Sequence, residues 1–156
     1  MSSSSTFKPL RGRRVVSLAL NLPGPAALMR LGELGARCLK VEPPGPGQTP
    51  AGRPISGDPM GQYNIGAYNT LHEGVRVAQI DLKTERGHAQ LARELAKADL
   101  LLTSFRPSAL QKLGLNWKAV HRARPALSMV EIVGAPGDRA DEPGHDLTYL
   151  AEAGLV

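Results

Sequence analysis

Residues 15–41 read VVSLALNLPGPAALMRLGELGARCLKV, and this stretch decides the fold. Val15 to Leu20 is a short, nearly continuous apolar run that opens on two β-branched residues, the pattern of a buried strand. Pro23-Gly24-Pro25 interrupts it. Ala26 to Leu34 then keeps helical spacing and is closed by Gly35. Arg37 to Val41 is a second strand. Two strands joined through a helix form a β-α-β unit, which implies a parallel pair and a right-handed crossover.

The chain outward from this unit repeats the alternation. Glu42 to about Tyr68 is rich in Pro and Gly and has no clear period, so it reads as a long irregular segment, functional or mobile. Val75 to Leu82 is strand-like. Thr84 is placed to cap a helix over Glu85 to Lys97. Leu100 to Thr103 is a buried strand, followed by a turn at Arg106-Pro107. Ser108 to Leu113 is a short helix ended by Gly114. Asn116 caps another helix through Arg124, which Pro125 stops, and Leu127 to Val133 is a further strand. Trp117 and the leucine-rich helix faces read as core. The fold class is therefore α/β: a Rossmann-like, open, mostly parallel sheet with flanking helices. No repeat or linker divides residues 10–156. Residues 1–9 are polar and read as a disordered tail.

Composition narrows the function. The 156 residues carry 19 Lys and Arg against 14 Asp and Glu, a formal net charge of +5. That favours anionic partners. Nucleic acid fits poorly, because the cations are scattered and aromatics for base stacking make up only 4%. The single cysteine, Cys38, cannot form an internal disulfide and reads as a small buried hydrophobe, consistent with a reducing cytoplasm. Residues 1–6 lack the apolar core of a signal peptide, and no stretch is long and apolar enough to span a bilayer. His72, His88 and His121 are dispersed among unlike segments, so no metal site is expected. Pro23-Gly24-Pro25 is not the GxGxxG of dinucleotide-binding domains, although Glu42 falls near where a ribose-binding acid would lie.

Gly144-His145-Asp146-Leu147-Thr148-Tyr149 is the most suggestive chemistry. The Pro143-Gly144 turn delivers an imidazole and a carboxylate side by side at the start of an apolar helical run. Asp146 is expected to be the N-cap of that run. On these six residues alone, an ordinary cap after a turn explains the pattern better than a catalytic pair does.

Five stretches in order change that balance: LRGRRVVSLA, GELGARCLKVEPPGPG, QIDLKTERG, SFRPSALQKLGL and PGHDLTYLAEAGL. Together they resemble the family III CoA-transferases (the CaiB/BaiF group), nearest the α-methylacyl-CoA racemase branch, from about Leu10 to the last residue. The resemblance implies a CoA thioester as substrate, no permanently bound cofactor, and CoA held at the strand ends. It places Lys40 near the nucleotide phosphates, where a cation gains charge-assisted contacts. It places Phe105, Arg106 and Lys112 along the CoA channel, with Lys in place of an Arg at 112. Ser104 replaces the family's Asn. Val75 stands where a lysine is expected, so one phosphate contact is either lost or moved to Arg76. Gly134-Ala135-Pro136-Gly137 also departs from the family's glycine-rich stretch. Weaker CoA affinity or a different acyl group is implied.

Within the family, the residue matching Asp146 is the nucleophile of the transferases, and the residue matching His145 is a base of the racemases. His145 before the aspartate, with Tyr149 four residues on, favours racemisation of a 2-methylacyl-CoA. Tyr149 is placed to bond the thioester or the pantetheine arm. The alternatives are CoA transfer to a carboxylic acid through an aspartyl-CoA intermediate, and a relative that binds CoA esters or a partner without catalysis. The family's members are much longer interlocked homodimers. The resemblance therefore implies a domain truncated at its C-terminal end, dimeric within the whole enzyme and with little turnover alone.

Overall fold

The computed structural model describes residues 7–156. The expected tail over 1–9 lies largely outside them. Lys8 to Arg11 form a turn, and the Leu10 N–H donates to the Leu34 carbonyl at 3.0 Å.

The elements follow in order: β1 (Arg14–Ser17), α1 (Pro23–Glu33), β2 (Arg37–Glu42), β3 (Pro44–Gln48), β4 (Pro54–Ser56), α2 (Pro59–Tyr63), α3 (Ile65–Leu71), β5 (Arg76–Gln79), α4 (Glu85–Leu95), β6 (Leu100–Thr103), α5 (Pro107–Lys112), α6 (Trp117–Ala123), β7 (Ser128–Glu131) and α7 (Asp146–Glu152). A single 3₁₀ turn, Gly137–Arg139, precedes α7. β1, β2, β5, β6 and β7 form one wholly parallel sheet in the order β5-β2-β1-β6-β7. Val16 pairs with Leu39 on one side and Leu101 on the other.

Successive strand residues point to opposite faces, and both faces are covered. Val15 and Cys38 pack against Leu28 of α1 on one face. Val16, Leu39 and Leu101 belong to the larger core with Leu91 of α4, Leu110 of α5 and Val120 of α6. Double coverage explains why the strands read as continuous apolar runs.

The helix starts follow local chemistry. The Thr84 hydroxyl accepts the Gly87 N–H, and the Asn116 side chain accepts the Ala119 N–H. α1 begins three residues earlier than expected, at Pro23, because a proline is pre-set for the first helical turn and its missing N–H is not needed there. Gly35 ends α1 with φ +102°, a backbone that only glycine adopts without strain.

Three expectations are corrected. The segment from Glu42 to Tyr68 is not irregular: it forms the antiparallel β3–β4 hairpin and the helices α2 and α3. It folds around two buried carboxylates. Glu42 accepts from the Ser56 hydroxyl and the Tyr68 hydroxyl at 2.9 Å each, and from the Gly57 N–H at 3.2 Å. Asp58 caps α2. Polar contacts of this kind leave no hydrophobic period to read. Trp117 is not core: it is 46% exposed and stacks on His121 with ring centroids 4.6 Å apart. Asp146 is not the N-cap of α7. His145 holds that position with extended backbone, and no side chain bonds the free N–H groups. No helix among the described residues is long and apolar enough to cross a membrane.

Candidate active site

Strand order reverses between β1 and β6, with β2 and β5 to one side and β7 to the other. At such a switch point the loops leaving the carboxyl ends diverge and open a crevice. A cleft of about 660 Å³ lies there, within the usual size for a small-molecule site. Leu20 to Pro23 wall it from the β1–α1 loop, Ser104 and Arg106 from the β6–α5 loop, and Ile132 to Gly134 from the end of β7. Glu142 to Asp146 and Tyr149 complete it from the chain before and within α7, and Tyr63 reaches it from α2.

His145 and Asp146 therefore stand side by side on the cleft, both exposed. Tyr149, 45% exposed, lies one helical turn on. Two loops must touch to hold them there. A Cβ on Gly144 would sit 2.1 Å from the Tyr149 hydroxyl and 2.7 Å from the Gly134 Cα, so neither loop admits a side chain at that crossing.

The loop carrying the pair is tethered on two sides. The Asp141 carboxylate accepts the Ser108 N–H of α5 at 3.0 Å. That bond, with the nearby Arg106 and Lys112 cations, holds its carboxyl below the usual range. Arg139 bridges Glu142 at 2.8 Å and Glu152 of α7 at 2.6 Å.

The remaining candidates separate. Arg106 is exposed and lines the cleft. Lys112 is exposed at the far end of α5, outside the lining but close enough to act on Asp141. Phe105 packs against the main core. Arg76 opens β5 at the amino-terminal edge of the sheet, opposite the cleft, and bonds Glu94 at 2.9 Å. It does not join the others.

Lys40 is fully buried within β2. Its ammonium bonds the buried Asp58 carboxylate and the His72 Nε2 at 3.2 Å, and lies 5.5 Å from the Tyr68 ring centroid. It presents no donor to a phosphate in the cleft. Glu42 is likewise engaged by its four neighbours and has no free oxygen for a ribose.

Sequence reasoning missed Asn21, Asp58 and the part Ser104 plays. The Ser104 hydroxyl accepts the Leu20 N–H at 3.1 Å. The Asp58 carboxylate accepts the Asn21 N–H at 3.1 and 3.2 Å. The only signal for Asp58 is Asp58-Pro59, a capping residue before a helix-starting proline.

A family model described as CoA-transferase family III matches residues 10–156. A "probable fatty acyl-CoA transferase" of Mycobacterium tuberculosis is 35% identical over 159 residues, covering 100% of this chain and 40% of the relative. The human α-methylacyl-CoA racemase is 32% identical over 149 residues, covering 94% of this chain and 34% of the relative. A crystal structure of a hypothetical protein from M. tuberculosis superimposes with a TM-score of 0.76 at 32% identity, over 95% of this chain and 39% of that one. The chain thus spans about two fifths of the length of the relatives it matches.

Proposed function

Because the chain belongs to CoA-transferase family III, we propose that its cleft holds the thioester of an acyl-CoA and that His145 removes the proton from the carbon beside it. The observation that supports this is the meeting of His145, Asp146, Tyr149 and Arg106 on one cleft at the switch point. A histidine suits the step because its ordinary pKa lies near neutrality. The C–H electron pair passes into the thioester, whose oxygen becomes an enolate oxygen, and the proton moves to the imidazole. Return of a proton on the opposite face inverts the centre. Asp146 orients the imidazole or the substrate, and Arg106 supplies positive charge for CoA. The acid on the opposite face comes from outside these residues, so the chain alone gives no net racemisation. The working unit in this reading is a homodimer of the whole enzyme.

The second reading is CoA transfer, favoured by the exposed Asp146 carboxylate on the same cleft. Its oxygen attacks the thioester carbonyl, the C–S bond breaks, and CoA leaves as thiolate, giving an acyl-aspartyl mixed anhydride. The thiolate then attacks the aspartyl carbonyl, releasing the acyl group as a carboxylate and leaving an aspartyl-CoA thioester.

One set of measurements separates them. The chain is titrated calorimetrically with CoA and acetyl-CoA, and the whole enzyme is incubated with a 2-methylacyl-CoA in D₂O without an acceptor acid. Deuterium at the α-carbon that His145→Ala abolishes is the expected result. A hydroxylamine-trapped acyl group that Asp146→Asn abolishes would point to transfer instead. CoA binding with neither product means a site that binds without reacting. A folded chain that binds no CoA overturns every CoA reading of the cleft and leaves the relative that binds a partner.

A further inference from the structure

Asn21 is the one non-glycine residue with positive φ among the described residues, at +61°. It sits on the wall of the cleft, between Leu20 and Leu22. Asparagine tolerates this region better than most residues, yet something must still hold it there. Two bonds do. Ser104 accepts the Leu20 N–H from the β6 side, and Asp58 accepts the Asn21 N–H with both oxygens from the other.

Asp58 is itself wholly buried, so its charge needs a partner. Lys40, also wholly buried, supplies it. The Lys40 ammonium bonds Asp58 and the His72 Nε2, and the Tyr68 ring lies within cation–π range with its centroid 5.5 Å away. His72 is fixed as an acceptor toward Lys40, because its Nδ1 donates to the Tyr68 carbonyl at 2.7 Å. The cluster is therefore fully partnered, and its outward-facing output is a carboxylate aimed at the turn of the cleft wall.

We infer that Lys40 and Asp58 are positioning residues: the buried ion pair fixes the left-handed turn at Asn21, and so the shape of the cleft wall that faces His145 and Asp146. This rests on the cleft being the CoA-thioester site. It gives Lys40 a role through another residue rather than on a phosphate.

The test compares two double variants that each remove both buried charges. Lys40→Met/Asp58→Asn keeps an amide oxygen for the Asn21 N–H. Lys40→Met/Asp58→Leu keeps the branched shape and removes the acceptor. Hydrogen exchange at the Asn21 amide and the Kd for CoA are read on both, after urea denaturation has shown each to be folded. The Leu variant is expected to exchange at least tenfold faster at Asn21 and to bind CoA severalfold more weakly. The Asn variant rescues both. Asn21→Val strains the turn without touching the buried pair and is expected to weaken CoA binding severalfold in a chain that is less stable but still folded, as urea denaturation checks. It decides the matter should the Leu variant not fold.

Slow exchange at Asn21 in a folded Leu variant overturns the inference. So does equal CoA affinity in Asn21→Val. Affinity lost in both double variants with Asn21 still protected would mean that Lys40 meets the ligand directly. If the wild-type chain binds no CoA, the functional reading fails, and the exchange rates alone still decide whether Asp58 holds the turn.

Discussion

His72 shows how one buried side chain ties the stability of the cleft wall to pH. Burial pushes its pKa down, opposed by the bond to the Tyr68 carbonyl and seconded by the Lys40 ammonium; Asp58 and Glu42 pull it back up. In the unfolded chain an ordinary histidine takes a proton as pH falls through about 6.5. The folded chain resists until a lower pH. Over that window the unfolded state holds more protons, so stability is complete above it and declines as pH falls. Protonation would also turn the Nε2 acceptor into a donor facing the Lys40 ammonium. Urea midpoints measured between pH 7.5 and 5.5 should fall with pH, and His72→Gln should flatten that slope. A slope unchanged in the variant would assign the effect elsewhere.

At the scale of elements, the helix starts are the most local part of the structure. Thr84→Ala removes the bond to the Gly87 N–H and should cost about 1 kcal/mol in urea denaturation. A loss near zero would mean that α4 is held by its buried Leu91 and Leu95 alone. The same locality decides what could be read in advance. β6 and the caps at Thr84 and Asn116 were legible because run length, apolar content and capping residue are all adjacent in sequence. The hairpin and two helices between Glu42 and Leu71 were not, because Glu42 and Asp58 organise them across 14 to 37 residues of separation. Trp117 misled for a related reason: its apolar ring is satisfied by stacking on His121 at the surface.

At the scale of the molecule, a parallel sheet has two unlike ends, and the candidates for the site sort by end. His145, Asp146, Tyr149 and Arg106 reach the carboxyl end from loops far apart in sequence. Resemblance could name them. Only topology shows that they share a cleft, because the meeting depends on the reversal between β1 and β6. Arg76 stands at the other end beside Glu94, and Lys40 is sealed within the sheet. Arg106→Ala should therefore raise the Kd for CoA about tenfold, the scale of one lost charge-assisted contact. Arg76→Ala should leave it within twofold. The reverse order in a calorimetric titration would place CoA at the amino-terminal end and refute the cleft.

Cys38, the chain's single cysteine, lies in β2 beneath Leu28, with its thiol pushed toward the protonated form by burial. Sulfur chemistry needs an accessible thiolate. Two folded copies have no exposed thiol with which to join covalently, and thiol-directed reagents in the medium meet a buried sulfur. The thiol enters solution chemistry only when α1 lifts from the sheet, so its rate of modification records that opening and nothing nearer the surface.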